Sequence, residues 1–116
     1  MSTLSTILAA VLGIVFFGAG VAKLTRQQKM VDNFERWGYP RSVLAATGSV
    51  ELLAAVLLLV GIAVNALAIT GALLVMFVMA GALMTHTRAK DSLADFVPPP
   101  VLLVAAVVLL VSMLPE

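Results

Sequence analysis

The sequence predicts an all-α fold, a four-helix transmembrane bundle with a short amphipathic interfacial helix between helices one and two. First, 62% of the 116 residues are hydrophobic and 11% are charged, against about 45–50% and about 25% in soluble domains. Second, the apolar residues form four runs, each near the roughly 20 helical residues that cross a hydrocarbon core of about 30 Å. Third, the charged residues other than Glu51 lie outside these runs.

The first run covers about residues 4–22. It has no basic residues before its apolar part and is longer than a signal-peptide core, so a retained helix is expected rather than a cleaved leader. In the connection that follows, apolar residues recur at helical spacing: Met30, Phe34 and Trp37. Charged residues occupy the other sides, which predicts an amphipathic helix at the membrane interface over about residues 26–37. Trp37 and Tyr39 are expected to anchor it at headgroup depth.

The remaining three runs predict the other membrane helices. The second covers about residues 43–64 and the third about 66–85. Their link, centred on Asn65, is short enough to predict a tight antiparallel hairpin. The fourth run covers about residues 96–114 and begins with three prolines. Proline suits the first turn of a helix because its missing N–H is not needed there.

The distribution of basic residues predicts the orientation. If the four helices alternate in direction, all seven lie on the side of the two longer connections: Lys23, Arg26, Lys29, Arg36, Arg41, Arg88 and Lys90. The positive-inside rule then places these connections in the cytoplasm and both termini outside. Neither a repeat nor a linker divides the chain, so a single domain over residues 1–116 is expected. Because the chain is so small, a homodimer is an alternative to the monomer.

The composition excludes several classes of function. The chain has no cysteine, which excludes disulfides, thiol redox chemistry and thiolate metal sites, and with them the four-helix membrane thiol oxidoreductases. One histidine and one deep carboxylate make a poor metal site, and no serine, histidine and acid share one depth. No catalytic residue is therefore predicted, and an independent enzyme activity is not favoured. A net charge of +1 without a basic block offers nucleic acid no binding surface.

Glu51 is the polar residue that the membrane prediction leaves unexplained. It lies about eight residues into the second predicted helix, or roughly 12 Å from its end at about 1.5 Å per residue. A lone charge at that depth costs at least about 2.5–3.5 kcal/mol. Thr47 and Gly48 share its side of the helix, and small residues let a neighbouring helix approach. Glu51 is therefore predicted to face the bundle interior.

Two further residues are expected to meet Glu51 at the basic side of the membrane. Lys23 ends the first helix and His86 ends the third. Because side chains tilt toward the N-terminus of their helix, Lys23 and Glu51 lean toward each other in depth and His86 leans inward. The hydroxyls of Thr47 and Thr85 complete the predicted cluster. Glu51 is predicted to be ionised and paired with Lys23, although a purely structural pair that fixes helix register stays open.

A cluster of glutamate, lysine and histidine in a low-dielectric site suits two kinds of chemistry. It can transfer protons, or it can hydrogen-bond the polar head of a small amphiphile whose apolar tail lies between helices. A quinone or a lipid fits the second description. These are the candidate ligands.

Four segments together resemble the DoxX-like family of small four-helix membrane proteins: "FFGAGVAKL", "WGYP", "GSVELLAAVLLL" and "GALMTH". The resemblance covers nearly the whole chain. It implies a bundle in a prokaryotic inner membrane, with Lys23, Glu51 and His86 at the family's polar positions. Namesakes of the family are linked to an archaeal thiosulfate:quinone oxidoreductase and to bacterial oxidative-stress complexes. Distant eukaryotic relatives include a receptor-assembly chaperone and a cargo receptor.

Three functions follow as alternatives. The first is a small-molecule or quinone-binding subunit that acts with a soluble or membrane redox partner. The second is an assembly factor or chaperone for other membrane proteins, and the third is a small proton-coupled transporter. Small multidrug-resistance transporters have a similar length, but their essential glutamate lies in the first helix, where this chain has none. Their dual-topology members also balance the basic residues that this chain carries on one side.

Overall fold

The computed structural model describes residues 1–115, and helices are its regular elements over that part of the chain. The chain forms six helices in the order α1 (Thr3–Leu24), α2 (Gln28–Arg36), α3 (Arg41–Val60), α4 (Asn65–Ala89), α5 (Leu93–Phe96) and α6 (Pro98–Met113). Helices α1, α3 and α4 and the segment Leu93–Met113 are each long and apolar enough to cross a membrane. The predicted all-α bundle with a short helix between its first two spans is confirmed.

The four long helices pack in a closed ring, with α1 on α3, α3 on α4, α4 on α6 and α6 on α1. Backbones of α1 and α3 nearly touch where two glycines meet. A Cβ atom on Gly20 would lie 2.8 Å from the carbonyl oxygen of Gly48 and 2.9 Å from the amide nitrogen of Leu52. A Cβ atom on Gly48 would lie 2.8 Å from Cβ of Lys23. This close approach sets Lys23 directly against α3.

The core is built mainly from small and medium-sized apolar residues. Its buried members are Ala9, Leu12, Phe16, Ala54, Ala55, Leu58, Ala72, Val75, Met79, Ala106 and Leu109. Large apolar side chains instead cover the outside, since Ile14 is 67% exposed and Phe77 is 78% exposed. An apolar exterior over the length of a bundle is what lipid, rather than water, accommodates.

The turn between α3 and α4 lies earlier than the sequence predicted. Helix α3 ends at Val60 rather than near residue 64, and α4 begins at Asn65. Backbone hydrogen bonds close the turn, from Ile62 to Leu59 at 3.3 Å and from Val64 to Gly61 at 3.2 Å. The residues of the turn are apolar apart from its glycine, so hydropathy does not separate them from the helix.

The opposite end, where α1 and α4 end and α3 and α6 begin, carries the basic residues and is called the basic end below. Helix α4 runs to Ala89, four residues beyond the predicted end at Thr85, because Thr87 and Arg88 continue the helix past the apolar run. Before α6, the short helix α5 occupies residues that the sequence left partly in the connection.

Three helices finish at the basic end with a residue in the left-handed conformation: Arg26 (φ 55°), Gly38 (φ 81°) and Lys90 (φ 54°). In each case the next amide donates to a carbonyl five residues back: Gln27 to Ala22 at 2.9 Å, Tyr39 to Phe34 at 2.9 Å and Asp91 to His86 at 3.1 Å. This is the Schellman pattern, which reverses the chain. The reversals fold α2 and the segment after α4 back over the bundle.

Helix α2 is amphipathic, as predicted from its spacing. Val31 and Phe34 are buried against Leu44 of α3, with Trp37 and Tyr39 packed around them. The ring centroids of Phe34 and Trp37 are 5.2 Å apart. The apolar face of α2 therefore rests on the start of α3, whereas Asp32 and Glu35 on its other side are exposed.

Candidate functional site

A cavity of about 890 Å³ lies at the basic end, between the four long helices and α2. Its volume is in the range of sites that hold small organic ligands, roughly 300–1,000 Å³. The five residues of the predicted polar cluster all line it: Lys23, Thr47, Glu51, Thr85 and His86. The structure thus brings the five residues to one cavity, although they do not form a single hydrogen-bonded group.

Lys23 and Glu51 form the inner polar pair of the cavity. Lys23 Nζ lies 2.8 Å from Oε1 of Glu51, and the two side chains are 13% and 4% exposed. The contact is an ion pair, and no further donor reaches the buried Oε1 among the described residues. Opposite charges this close offset part of the cost of removing both from water.

The two threonine hydroxyls belong to the cavity wall and not to the ion pair. Thr47 Oγ1 donates to the carbonyl oxygen of Val43 at 2.7 Å. Thr85 Oγ1 donates to the carbonyl oxygen of Gly81 at 3.0 Å and lies 2.9 Å from the hydroxyl of Tyr39. Each hydroxyl hydrogen is therefore used within the protein, and the oxygen lone pairs remain available as acceptors.

His86 has a different partner from the one that the sequence suggested. Its Nδ1 lies 2.5 Å from Oδ2 of Asp91, and its ring meets the Trp37 ring edge-on with centroids 5.1 Å apart. His86 still lines the cavity. The predicted cluster is therefore divided into an inner pair, Lys23 and Glu51, and an outer group around His86.

Asp91 holds this outer group together. Its side chain is 1% exposed and forms an ion pair with Arg36, and Trp37 Nε1 donates to its Oδ2 at 3.2 Å. The hydrogen bond from Arg36 is the main cause that lowers the pKa of Asp91, and the bonds from His86 and Trp37 act in the same direction. The same contact raises the pKa of Arg36. Asp91 therefore stays ionised and keeps its three donors in place.

A second set of contacts fastens the end of α2 to the end of α4. Arg88 donates to the carbonyl oxygen of Trp37 at 3.4 Å, and its guanidinium lies 5.2 Å from the centroid of the Tyr39 ring.

The sequence suggested only interface anchoring for Trp37 and Tyr39. Asp91 was missed altogether, because the reversal that brings it back to His86 turns on a left-handed Lys90, where the sequence has no glycine to mark it.

The cavity has one side that reaches the lipid-facing surface. Phe77 and Met84 of α4 line it and are 78% and 73% exposed. Lys29 and Asn33 of α2 and Asp95 of α5 lie on its lining as well. The cavity therefore joins a polar inner pair and a polar rim to an apolar surface that borders the membrane.

The groups that line the cavity are suited to binding a polar ligand head. Among residues 1–115, no three histidine, aspartate or glutamate side chains form a metal-binding group, and the chain has no cysteine. What the cavity supplies is a carboxylate, an ammonium group and hydroxyl acceptors near the polar end of an apolar space. Such a site can orient the head of an amphiphile and exclude water from it.

Comparison with known protein families identifies a family for this chain. The model of the DoxX-like family matches residues 7–110 of the chain, a range that contains every residue lining the cavity. No curated protein and no solved structure matches the chain in the corresponding comparisons.

Proposed function

The chain belongs to the DoxX-like family, and we propose that this integral membrane protein binds a small amphiphile, a quinone or a lipid-like molecule, in the cavity at the basic end. One observation carries the proposal. The cavity has the Lys23–Glu51 ion pair on its inner wall and the lipid-exposed Phe77 and Met84 on another side. An amphiphile has the same division into a polar head and an apolar tail.

The proposed roles follow from position. Glu51 and Lys23 hold the polar head, and His86, Thr47 and Thr85 line the space around it. The tail leaves along the apolar side toward lipid. Because the chain has no cysteine, a redox reaction of a bound quinone would exchange its electrons with a partner protein. The protein would then be a binding subunit that acts with a redox partner.

The proposal includes a location. The family resemblance implies a prokaryotic cytoplasmic membrane, and all seven lysines and arginines belong to the basic end or the connections beside it. By the positive-inside rule that end faces the cytoplasm and both termini face outward. The cavity would then be reached from the cytoplasmic half of the bilayer.

The lipid-facing side of the cavity also favours a second function, that of an assembly factor or chaperone for other membrane proteins. Phe77 and Met84 offer an exposed apolar surface beside a buried charge pair, which a client helix with a polar residue could use during assembly. A transporter has less support. At the end opposite the cavity, Ser5 is fully buried and hydrogen-bonded to Ser112 at 2.7 Å, which ties the start of α1 to the end of α6.

Ligand binding can be followed through Trp37, the single tryptophan of the chain and part of the cavity lining. Its fluorescence would be titrated with decylbenzoquinone in the purified parent chain, in Ala46→Phe and in Ala45→Phe. Ala46 lines the cavity, whereas Ala45 is exposed on the same helix and outside the lining.

We expect saturable quenching in the parent chain and in Ala45→Phe, and loss of the saturable part in Ala46→Phe because the added ring fills the cavity. Unsaturable quenching of equal slope in all three chains would mean that the cavity does not bind the ligand. In that case, co-purification of an intact membrane protein with the parent chain would favour the assembly function.

A further inference from the structure

The Glu51 carboxylate has acceptor capacity that the protein does not use. Its buried Oε1 forms the ion pair with Lys23 Nζ and has no further donor among the described residues. A carboxylate carries about four lone-pair sites on its two oxygens. The side chain lines the cavity and keeps 4% of its surface exposed. The ion pair with Lys23 uses part of this capacity, and buried carboxylates usually accept more than one hydrogen bond.

The hydroxyl groups of the cavity do not fill this need. Thr47 Oγ1 donates its hydrogen to Val43, and Thr85 Oγ1 donates to Gly81. Tyr39 then donates its own hydrogen to Thr85, at 2.9 Å. Because each hydroxyl has a single hydrogen, none of the three is left for Glu51. A donor in addition to Lys23 would therefore come from a molecule in the cavity.

The chemistry of the pair defines that molecule. A phenol or hydroquinone oxygen can donate its O–H to Glu51 and accept a hydrogen bond from Lys23, so one oxygen satisfies both members of the pair. A quinone carbonyl can only accept, and it would leave the carboxylate with Lys23 as its single donor. A ligand head that fits a carboxylate beside an ammonium group therefore both donates and accepts hydrogen bonds.

We propose that the cavity selects amphiphiles with a hydrogen-bond-donating head, such as a hydroquinone, over the oxidised quinone with the same tail. This inference rests on the proposed function, because it concerns the head chemistry of the ligand of that cavity. It assigns the reduced form of a quinone couple as the form that the protein holds.

The test compares three ligands with one decyl tail: decylhydroquinone, its dimethyl ether and decylbenzoquinone. Each is titrated by calorimetry, without oxygen, into the full chain in lipid nanodiscs. Parent, Glu51→Gln and Thr70→Val chains are compared. Thr70 serves as the control because its hydroxyl bonds the carbonyl of Ala66 within its own helix and does not line the cavity.

In the parent and in Thr70→Val, decylhydroquinone is expected to bind about tenfold or more tightly than the other two ligands, the effect of one hydrogen bond to a charged acceptor. In Glu51→Gln the preference over decylbenzoquinone should shrink to about twofold or less, because the amide of glutamine can donate to a quinone carbonyl.

The possible failures are distinct. Equal binding of the three ligands to the parent overturns the selection of a donor head and leaves the proposed function in place. No binding by any of them overturns both. A hydroquinone preference that Glu51→Gln retains in full overturns the role of the carboxylate. If Glu51→Gln does not fold, the difference between hydroquinone and dimethyl ether in the parent chain decides the question.

Discussion

The contact between Lys23 and Glu51 follows most directly from the sequence. Their depth can be counted from the helix ends, and the tilt of side chains toward the N-terminus of each helix brings them toward one level. In the structure Lys23 Nζ and Glu51 Oε1 lie 2.8 Å apart. The partner of His86 could not be predicted from the sequence, because that contact depends on a left-handed backbone at Lys90. Lysine rarely adopts this conformation, so the residue type does not indicate it.

The glycine contact between α1 and α3 gives a prediction at the scale of one residue. Gly20→Ala should destabilise the bundle by about 1–3 kcal/mol, as overpacking does, because the new methyl group would meet backbone atoms of Gly48 and Leu52. Gly18→Ala is the matched control in the same helix, since its Cβ would meet nothing within 4 Å. Thermal unfolding in detergent measures both. Equal midpoints for the two variants would contradict the close helix approach.

The sequence predicts helix α2 itself but not its attachment to the end of α4. The spacing of Met30, Phe34 and Trp37 predicted an amphipathic helix within residues 26–37, and the helix lies at Gln28–Arg36. Its attachment could not be predicted, because Asp91 reaches Arg36 and Trp37 across more than fifty residues of chain. Long-range contacts of this kind are set by chain reversals that hydropathy does not record.

The attachment of α2 should loosen when Asp91 loses its charge. Asp91→Asn removes the acceptor that holds Arg36, Trp37 and His86, so amide hydrogen exchange in α2 should become several-fold faster while exchange in α1 stays the same. Asp95→Asn is the control, because Asp95 is exposed and bonds only Ser92 among the described residues. Unchanged exchange in α2 of Asp91→Asn would contradict the attachment.

The same attachment should depend on pH in acid. The pKa of Asp91 lies below its usual value, chiefly because Arg36 donates a hydrogen bond to it. A lowered folded-state pKa stabilises the fold fully above the unfolded value of about 3.9, and the stabilisation is lost as the pH falls through the lower folded value. Protonation of Asp91 should therefore appear as a change in Trp37 fluorescence below about pH 4.

Asp91→Asn should abolish this acid transition, because asparagine does not titrate. A transition of the same midpoint in Asp91→Asn would assign it to another carboxyl group, of which Asp95 is the nearest on the adjoining segment. The parent and the variant can be measured in one buffer series with the same detergent.

For the whole molecule, composition is what made the fold predictable. Four apolar runs of membrane-spanning length leave a chain of this size no fold except a helical bundle in lipid. Hydropathy gave the number of spans but misplaced the turn at residues 61–64, because those residues are themselves mostly apolar. It also could not show the cavity, which lies between the four long helices and α2 at the basic end.

The orientation of the molecule can be tested with added cysteines, since the chain has none. Single variants Gln27→Cys and Asn65→Cys lie at opposite ends of the bundle, and both positions are exposed. In intact cells a membrane-impermeant maleimide should label Asn65→Cys and leave Gln27→Cys unlabelled until the cells are broken. The parent chain is the control. The reverse pattern would contradict a cytoplasmic basic end.

The central claim is that the Lys23–Glu51 pair binds the head of an amphiphile rather than only joining two helices. The most direct test measures the thermal stability of the parent, Glu51→Gln, Lys23→Met and the double variant, each with and without decylhydroquinone. We predict that the ligand stabilises the parent by mass action and that this shift is smaller in the folded variants. A double variant that regains the parent's stability, together with no ligand response in any chain, would show a purely structural pair and contradict the claim.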